Sequence, residues 1–455
     1  MKKILLLDPL GYGKFLGKHF HPLRDWTGAY IIGDIAMLPM ELMYAAAYLR
    51  REGHLVGIVE ANAHHWGHSE VCKEVLREDP DFILIPATYF SLEGDKRLAV
   101  MLKQVLPGAK IIFSGPPVTY DPAPLLEEGI ADYAVSGELE LPVSGILSCG
   151  NGNGVARSQG GKITRTPRQV LSLEHLPAAA RDLVDGNAYR YAFFNRHNPV
   201  TAMVISRGCA HGRCGFCPSA LYNDAGIRYR GLDGIKEEIS EIVYKYGFRE
   251  MFFRDQTFTA NRELTSAVCD FILSSGINIS WRATTRVDMV DKELLALMRR
   301  AGCYQLSFGF ESCSQRSLDM AGKGITLEQS RLAAQWAKEA GLEVVGFFML
   351  GMQGDTEENM SALSGFALQL KVDYALFDMT YALPGTPYYE TMKKTPEKFP
   401  QTATARKYAA AAFWKFNGRP EYILRQLRKI RSFSDVKFLA MAGLNALKAY
   451  ICSSA

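Results

Sequence analysis

The sequence predicts an α/β protein: a doubly wound parallel sheet, then a partial (β/α)6 barrel, then a helical C-terminal region. Three observations carry this prediction. Short apolar strands alternate with amphipathic helices in two separate series, a Gly- and Asn-rich stretch divides the series, and the strand pattern stops after residue 390. At 455 residues the chain exceeds one ordinary core, so several domains are expected. The boundaries read as 1–148 for the first sheet, 149–195 for a linker, 196–390 for the barrel and 391–455 for the helical domain.

The first series opens with ILLLDP (4–9), a short buried-strand pattern, followed by the amphipathic MELMYAAAYLRREG (40–53) ending at Gly53. LVGIVEA (55–61), DFILIPATY (81–89), AKIIFSGP (109–116) and ADYAVSGE (131–138) are further strands separated by helices. Such alternation implies a parallel sheet covered on both faces, and ligands of such sheets bind where strands end. Those ends carry Pro9, Thr88, Tyr89, Ser114, Gly115, Pro116, Ser136, Gly137 and Glu138. CGNGNGVARSQGGKITRTPRQV (149–170) reads as a hairpin or linker, and LSLEHLPAAARDLVD leads into the next module.

The second series supplies TAMVIS (201–206), EMFFRD (250–255), NISWRAT (278–284), YQLSFGFE (304–311), EVVGFFML (343–350) and DYALFDMTYA (373–382). Helical patterns at 234–247, 292–302 and 326–341 lie between them. Six units fall short of the eight that close a barrel, and chemistry is expected at the C-terminal strand ends. EYILRQLRKIRSF and VKFLAMAGLNALKAYI are helical; FLAMAGLNALKAYI reads better as a helix packed on the barrel than as a membrane contact.

The net charge of +4 is small for this length, so nucleic acid is not an expected partner. No apolar run is long enough to predict a spanning helix, and MKKILLLDPLGYG lacks a small-residue cleavage site, so it reads as a strand. Nine cysteines, an odd number with six scattered, point to a reducing cytoplasm instead of a disulfide framework.

The other three cysteines are gathered in ISRGCAHGRCGFCPS as Cys209, Cys214 and Cys217, spaced C-x4-C-x2-C. Thiolates favour soft metals. Zinc needs a fourth ligand, and His211 is the nearest candidate, though cramped between two ligands of one loop. A [4Fe–4S] cluster held by three thiolates would leave one iron open to a small molecule, and is the stronger alternative.

A strand, then SRGCxxxxCxFC, then a partial α/β barrel resembles the radical S-adenosylmethionine superfamily. Its usual motif is C-x3-C-x2-C with an aromatic before the last cysteine; Phe216 fills that place, and this chain has one extra residue after Cys209. MFFRDQTFTANRE (251–263) is similar to the F-x-D-D-x-F-T segment of cobalamin-binding members, with Asp255 and Thr259 at matching positions and Gln256 where a second Asp often stands. The resemblance implies that Asp255 faces the methionine amino group, that Arg286 and Glu311 make polar contacts to the cofactor, and that Gly351 and Pro384 lie near the adenosyl group. IGDIAMLPMELMYAAAYLRREGHLVGIVEANA (32–63), KIIFSGPPVTYDP (110–122) and ADYAVSGELE (131–140) resemble the cobalamin-binding domain of the same subgroup. That assigns Pro9, Thr88, Tyr89, Ser114, Gly115, Pro116, Gly137 and Glu138 to cobalamin. The D-x-H-x2-G signature is missing, AHHWGH (63–68) reads as a solvated loop, and GYGKFLG (11–17) does not fit a dinucleotide fingerprint.

The resemblance implies a cytoplasmic enzyme using a [4Fe–4S] cluster, S-adenosylmethionine and cobalamin, with flavodoxin or ferredoxin as electron donor. The expected activity is methylation of an unactivated carbon of a small molecule, lipid or peptide through a 5′-deoxyadenosyl radical. Cyclisation or rearrangement with the same cofactors is the second expectation, and a non-catalytic metal-cluster protein the third.

Overall fold

The computed structural model describes residues 1–9, 37–189, 195–221 and 226–430, with 436 and 440. The GYGKFLG stretch and nearly all of FLAMAGLNALKAYI lie outside the described residues. The described residues form two compact units, the first from the N-terminal strand with 37–189 and 228–238, the second from 195–221, 226–227 and 239–430.

The elements of the first unit follow the predicted alternation. They are β1 (Lys3–Leu7), α1 (Met40–Arg51), β2 (Leu55–Val59), α2 (His68–Glu78), β3 (Phe82–Pro86), α3 (Leu92–Val105), β4 (Lys110–Ser114), α4 (Pro116–Tyr120), α5 (Ala123–Glu127), β5 (Tyr133–Val135) and α6 (Glu140–Cys149). β6 (Val155–Gln159) and β7 (Lys162–Arg165) complete the sheet, whose order is β2-β1-β3-β4-β5-β6-β7. Neighbours from β2 to β5 are parallel. Successive side chains of a strand point to opposite faces. Leu5, Leu7, Ile83, Ile85, Ile111 and Phe113 therefore enter one core, while Ile4, Leu6, Phe82, Leu84 and Ile112 enter the other. Two buried faces explain why these strands read as unbroken apolar runs.

The expected linker 149–195 begins inside this sheet. β6 pairs antiparallel with β5 and β7 with β6, joined through Gly160 and Gly161 at φ of +58° and +78°. Two positive-φ residues are what a tight hairpin turn needs, so the Gly-rich composition marks a turn. Val155 and Ala156 are both 2% exposed, which commits the hairpin to the core. Farther along, Arg181 and Arg230 both pair with the buried Glu238, which also accepts from the Tyr44 hydroxyl at 3.1 Å. Burial opposes ionisation of Glu238, yet the two guanidinium groups hold its carboxyl below the ordinary value.

The second unit contains β8 (Thr201–Met203) and the short β9 (Ser206–Arg207); β10 (Arg228–Tyr229) and α7 (Leu232–Ser240) come next in the chain. Then follow β11 (Glu250–Phe253), α8 (Arg262–Ser274), β12 (Ser280–Thr285), α9 (Lys292–Arg300), β13 (Cys303–Glu311), α10 (Gln315–Met320), α11 (Leu327–Glu339), β14 (Glu343–Leu350), α12 (Glu357–Gln369) and β15 (Tyr374–Met379). The six strands run β15-β14-β13-β12-β11-β8, every neighbouring pair parallel, as a partial barrel requires. Side-chain N-caps from Asn261, Asp291, Ser314, Thr326 and Thr356 start the helices from α8 to α12. Four of these caps end a loop that leaves a strand, and Thr326 ends the turn between α10 and α11.

α13 (Pro387–Lys394), α14 (Thr402–Asn417) and α15 (Pro420–Leu427) form the described part of the helical C-terminal region. An aromatic series carries the barrel into it. Phe310 stacks on Phe348 at 5.6 Å, Phe348 on Phe377 at 5.3 Å, and Phe377 meets Phe416 of α14 edge-on at 6.0 Å. Among the described residues no helix is long and apolar enough to cross a membrane.

Candidate active site

The cysteine loop leaves the C-terminal end of β8, and a buried carboxylate holds its root. Asp255, 2% exposed, accepts from the Ile205 N–H at 3.1 Å, the Ser206 N–H at 2.6 Å and the Ser206 hydroxyl at 2.5 Å. Burial pushes its pKa up to about 6 against those hydrogen bonds. The carboxylate expected to face a methionine amino group thus has both oxygens engaged by the backbone before the cysteines. Its neighbour Gln256 accepts from the Ser219 hydroxyl at 3.2 Å, and Ser219 lies 3.0 Å from the Cys217 sulfur. The Cys209 sulfur is 3.9 Å from the hydroxyl of buried Thr257. Thr259 bonds to Thr285, so its hydroxyl is used within the barrel.

The middle of the loop is clamped from two sides. The Gly215 N–H donates to the Ala321 carbonyl at 2.8 Å, and the Gly215 carbonyl accepts from the Tyr388 N–H at 2.9 Å. A Cβ at Gly215 would lie 2.6 Å from the Tyr388 ring, so only glycine fits. Phe216 meets Tyr388 edge-on at 6.1 Å and packs against the cluster of Ala321, Met352, Tyr388 and Phe399. The aromatic before the last cysteine is therefore an apolar anchor for the loop.

A polar set stands beside the thiols. Glu311, at φ +62°, accepts from the Lys323 ammonium at 2.7 Å; both residues are 7% exposed. A Cβ at Gly309 would lie 2.3 Å from the Glu311 carboxylate, so that glycine makes room for the pair. Arg286 grips Asp288 through two hydrogen bonds of 2.9 and 2.8 Å and donates to the Lys323 carbonyl at 3.0 Å. Burial pushes Cys214 up to about 11, while Lys323 and Arg286 act in the opposite direction. Burial also raises Cys217, against hydrogen bonds from Ser219. Cations beside buried thiols favour the thiolate, the form that binds metal. The donor set fits a cluster bound through thiolates. Among the described residues no three Cys, His, Asp or Glu side chains are grouped as ligands of one metal ion.

His211 is tied to the turn after α10. Its Nε2 lies 2.6 Å from the Gly322 carbonyl, and since a carbonyl only accepts, Nε2 carries the proton and donates. Gly351 and Met352 donate their N–H groups to Asp355 at 3.1 and 3.0 Å, which fixes the turn after β14. Pro384 sits in the turn between β15 and α13, closed by the Thr386 N–H on the Leu383 carbonyl.

In the first unit, β1, β3, β4 and β5 are parallel, so Pro9, Thr88, Tyr89, Ser114, Gly115, Pro116, Gly137 and Glu138 share the C-terminal edge of the sheet. The chain reverses its direction of travel between β1 and β3, the position where such sheets take nucleotide-like ligands. Gly115, at φ +104°, passes so close to β3 that a Cβ would lie 2.0 Å from the Ala87 carbonyl oxygen. Gly137, at φ +86°, donates its N–H to the Thr119 hydroxyl at 3.1 Å. At Gly115 the missing side chain lets the ends of β3 and β4 pack closely, and at Gly137 a Cβ would lie 3.4 Å from the Arg168 side chain. Thr88 is bonded to Ser91, and Ser91 donates to Asp95 at 2.6 Å. Tyr89 reaches the Pro116 carbonyl at 3.4 Å, and the Glu138 carboxylate is gripped by Arg228. His64 and His65 are exposed, but Trp66, 5.2 Å from the His64 ring, packs against the core and His68 opens α2, so only part of the AHHWGH stretch is a solvated loop.

Sequence reasoning missed Lys323, Tyr388, Asp355 and Thr257. Lys323, Tyr388 and Thr257 depend on contacts between separate segments, whereas Asp355 holds the nearby Gly351 and Met352 amides; for Lys323 the available signal was its place between two glycines in AGKG.

Two family models match the chain in sequence: the B12 binding domain over residues 36–147 and the Radical SAM superfamily over 203–367. An uncharacterized methyltransferase of Pyrococcus horikoshii is 32% identical over 364 residues, 77% of this chain and 78% of that protein. The anaerobic magnesium-protoporphyrin IX monomethyl ester cyclase of Rubrivivax gelatinosus is 25% identical, covering 83% and 70%. Among solved structures, the cobalamin-dependent S-adenosylmethionine radical enzyme OxsB aligns with a TM-score of 0.75 at 15% identity, over 99% of this chain and 72% of that one. That similarity shows a shared fold.

Proposed function

The chain belongs to the cobalamin-binding radical S-adenosylmethionine enzymes, and from that membership we propose that it is a methyltransferase acting on an unactivated carbon of a small molecule, lipid or peptide. The observation that carries the reading is the three-thiol loop on a parallel partial barrel, with Lys323, Glu311 and Arg286 beside it. The Pyrococcus horikoshii relative, itself named a methyltransferase, supports the reaction class.

When bound, the cluster, S-adenosylmethionine and cobalamin supply one-electron reduction of a sulfonium, hydrogen abstraction from carbon and a transferable methyl group. The chain's own residues do the positioning. Cys209, Cys214 and Cys217 would hold the cluster, and the absence of a fourth cysteine in the loop suits a cofactor on the remaining iron. Asp255 keeps the loop root fixed through the Ile205 and Ser206 amides. Lys323, Arg286 and Glu311 offer both charge signs to the carboxylate and ammonium of a methionine moiety, and Phe216 with Tyr388 excludes water behind the loop. Pro9, Thr88, Tyr89, Ser114, Gly115, Pro116 and Gly137 would line the cobalamin edge, with Glu138 held back by Arg228. A flavodoxin or ferredoxin completes the reading as electron donor. The reading places the enzyme in the cytoplasm.

The test uses anaerobically reconstituted protein, S-adenosylmethionine carrying a deuterated methyl group, and separate metabolite, lipid and peptide extracts. Methylation predicts a product bearing the labelled methyl group, together with S-adenosylhomocysteine. The second reading, ring formation, is favoured by the Rubrivivax gelatinosus relative and predicts a product without label.

A further inference from the structure

Three consecutive carbonyls in the turn after α10 each accept a hydrogen bond from the candidate site. Ala321 accepts from the Gly215 N–H at 2.8 Å, Gly322 from His211 Nε2 at 2.6 Å, and Lys323 from Arg286 at 3.0 Å. The first two donors belong to the cysteine loop and the third follows β12. The same turn aims the Lys323 ammonium at Glu311. The glycines around Lys323 are where the loop passes. A Cβ at Gly324 would lie 2.8 Å from the His211 ring, and a Cβ at Gly322 would lie 3.2 Å from the Arg213 carbonyl. Two points define an orientation and one does not. Gly215 clamps the middle of the loop between Ala321 and Tyr388, and the His211 bond, four residues earlier, adds a second attachment of the loop to this turn.

We propose that His211 is a positioning residue: it ties the expanded C-x4-C loop to the Gly322 carbonyl and so sets the separation between the three thiols and the Lys323–Glu311–Arg286 set. This rests on the function proposed above. S-adenosylmethionine must meet both halves at once, so a fixed separation avoids paying for ordering on binding. The tie lies within the expanded stretch between Cys209 and Cys214.

The test titrates S-adenosylmethionine into dithionite-reduced, reconstituted protein, following the electron paramagnetic resonance signal of the cluster alongside iron content. His211→Phe keeps a ring and removes the donor. It is expected to retain wild-type iron and to weaken the titration about tenfold, the usual scale of one hydrogen bond. His211→Gln restores a donor and should recover to within about threefold. Gly324→Ala adds a fixed backbone cost in any background, but its methyl conflicts with the ring only when His211 is present. Its effect on melting temperature should therefore be smaller in a His211→Ala background. If wild type responds to S-adenosylmethionine and His211→Phe titrates identically, the positioning role is overturned and the proposed function stands. If wild type holds iron yet shows no response, the proposed function fails and this inference falls with it.

Discussion

A missing methyl group at position 215 decides how the cysteine loop packs. The Tyr388 ring occupies the space a Cβ would need; the Tyr388 backbone N–H is held by the Gly215 carbonyl, and the ring meets Phe399 edge-on at 5.0 Å, which limits its retreat. Gly215→Ala should therefore cost about 1–3 kcal/mol of stability by overpacking. Thermal denaturation of the apo chain measures that cost, and iron retained after reconstitution should fall with it. An unchanged melting temperature would mean the ring is not fixed there. The cysteines and Phe216 were legible because all four sit within one short motif. Tyr388 and Lys323 were not, because their role comes from contacts between segments such as His211 and Gly322, 111 positions apart. Asp255 stood out in the sequence for its motif, yet the structure gives its oxygens to the Ile205 and Ser206 amides.

Among the elements, β11 begins at a carboxyl group whose ionisation works against the fold. Glu250 is fully buried and accepts from the Tyr304 hydroxyl and from the His197 N–H at 3.0 Å. Burial pushes its pKa up to about 7, above an ordinary value of 4.5. The native state therefore holds a proton that the unfolded chain has released between those values. The stabilisation from Glu250 is full below the lower value and is lost as pH rises through about 7. Melting temperature should fall from about pH 5 to about pH 8 in wild type and fall less in Glu250→Gln. Parallel slopes would show that Glu250 titrates normally. The strands were legible because two-sided burial makes them apolar throughout. The β6–β7 hairpin was half hidden, since the Gly160–Gly161 turn that makes it possible has the composition of a linker.

On the scale of the whole molecule, the chain order of the motifs survives as the spatial order of the second sheet, from β8 to β15. That made the partial barrel readable from strand count alone. The composition of the first unit was harder to read, because it includes 228–238, far from the rest of its sequence. Glu238 is the reason: its carboxylate gathers Arg181, Arg230 and Tyr44 from three separate stretches. Glu238→Ala leaves two buried guanidinium groups facing each other and should cost about 3–5 kcal/mol, read by urea unfolding. A loss below about 1 kcal/mol would show that the segment is held by packing instead.

The account rests most heavily on the three-thiol loop. Its most direct test is anaerobic reconstitution with iron, sulfide and cobalamin, followed by reduction in the presence of S-adenosylmethionine, for wild type and Cys214→Ala. Wild type should hold about four irons per chain and release 5′-deoxyadenosine, and Cys214→Ala should do neither. A wild-type protein that takes up a single zinc ion, with no cleavage of S-adenosylmethionine, would contradict it.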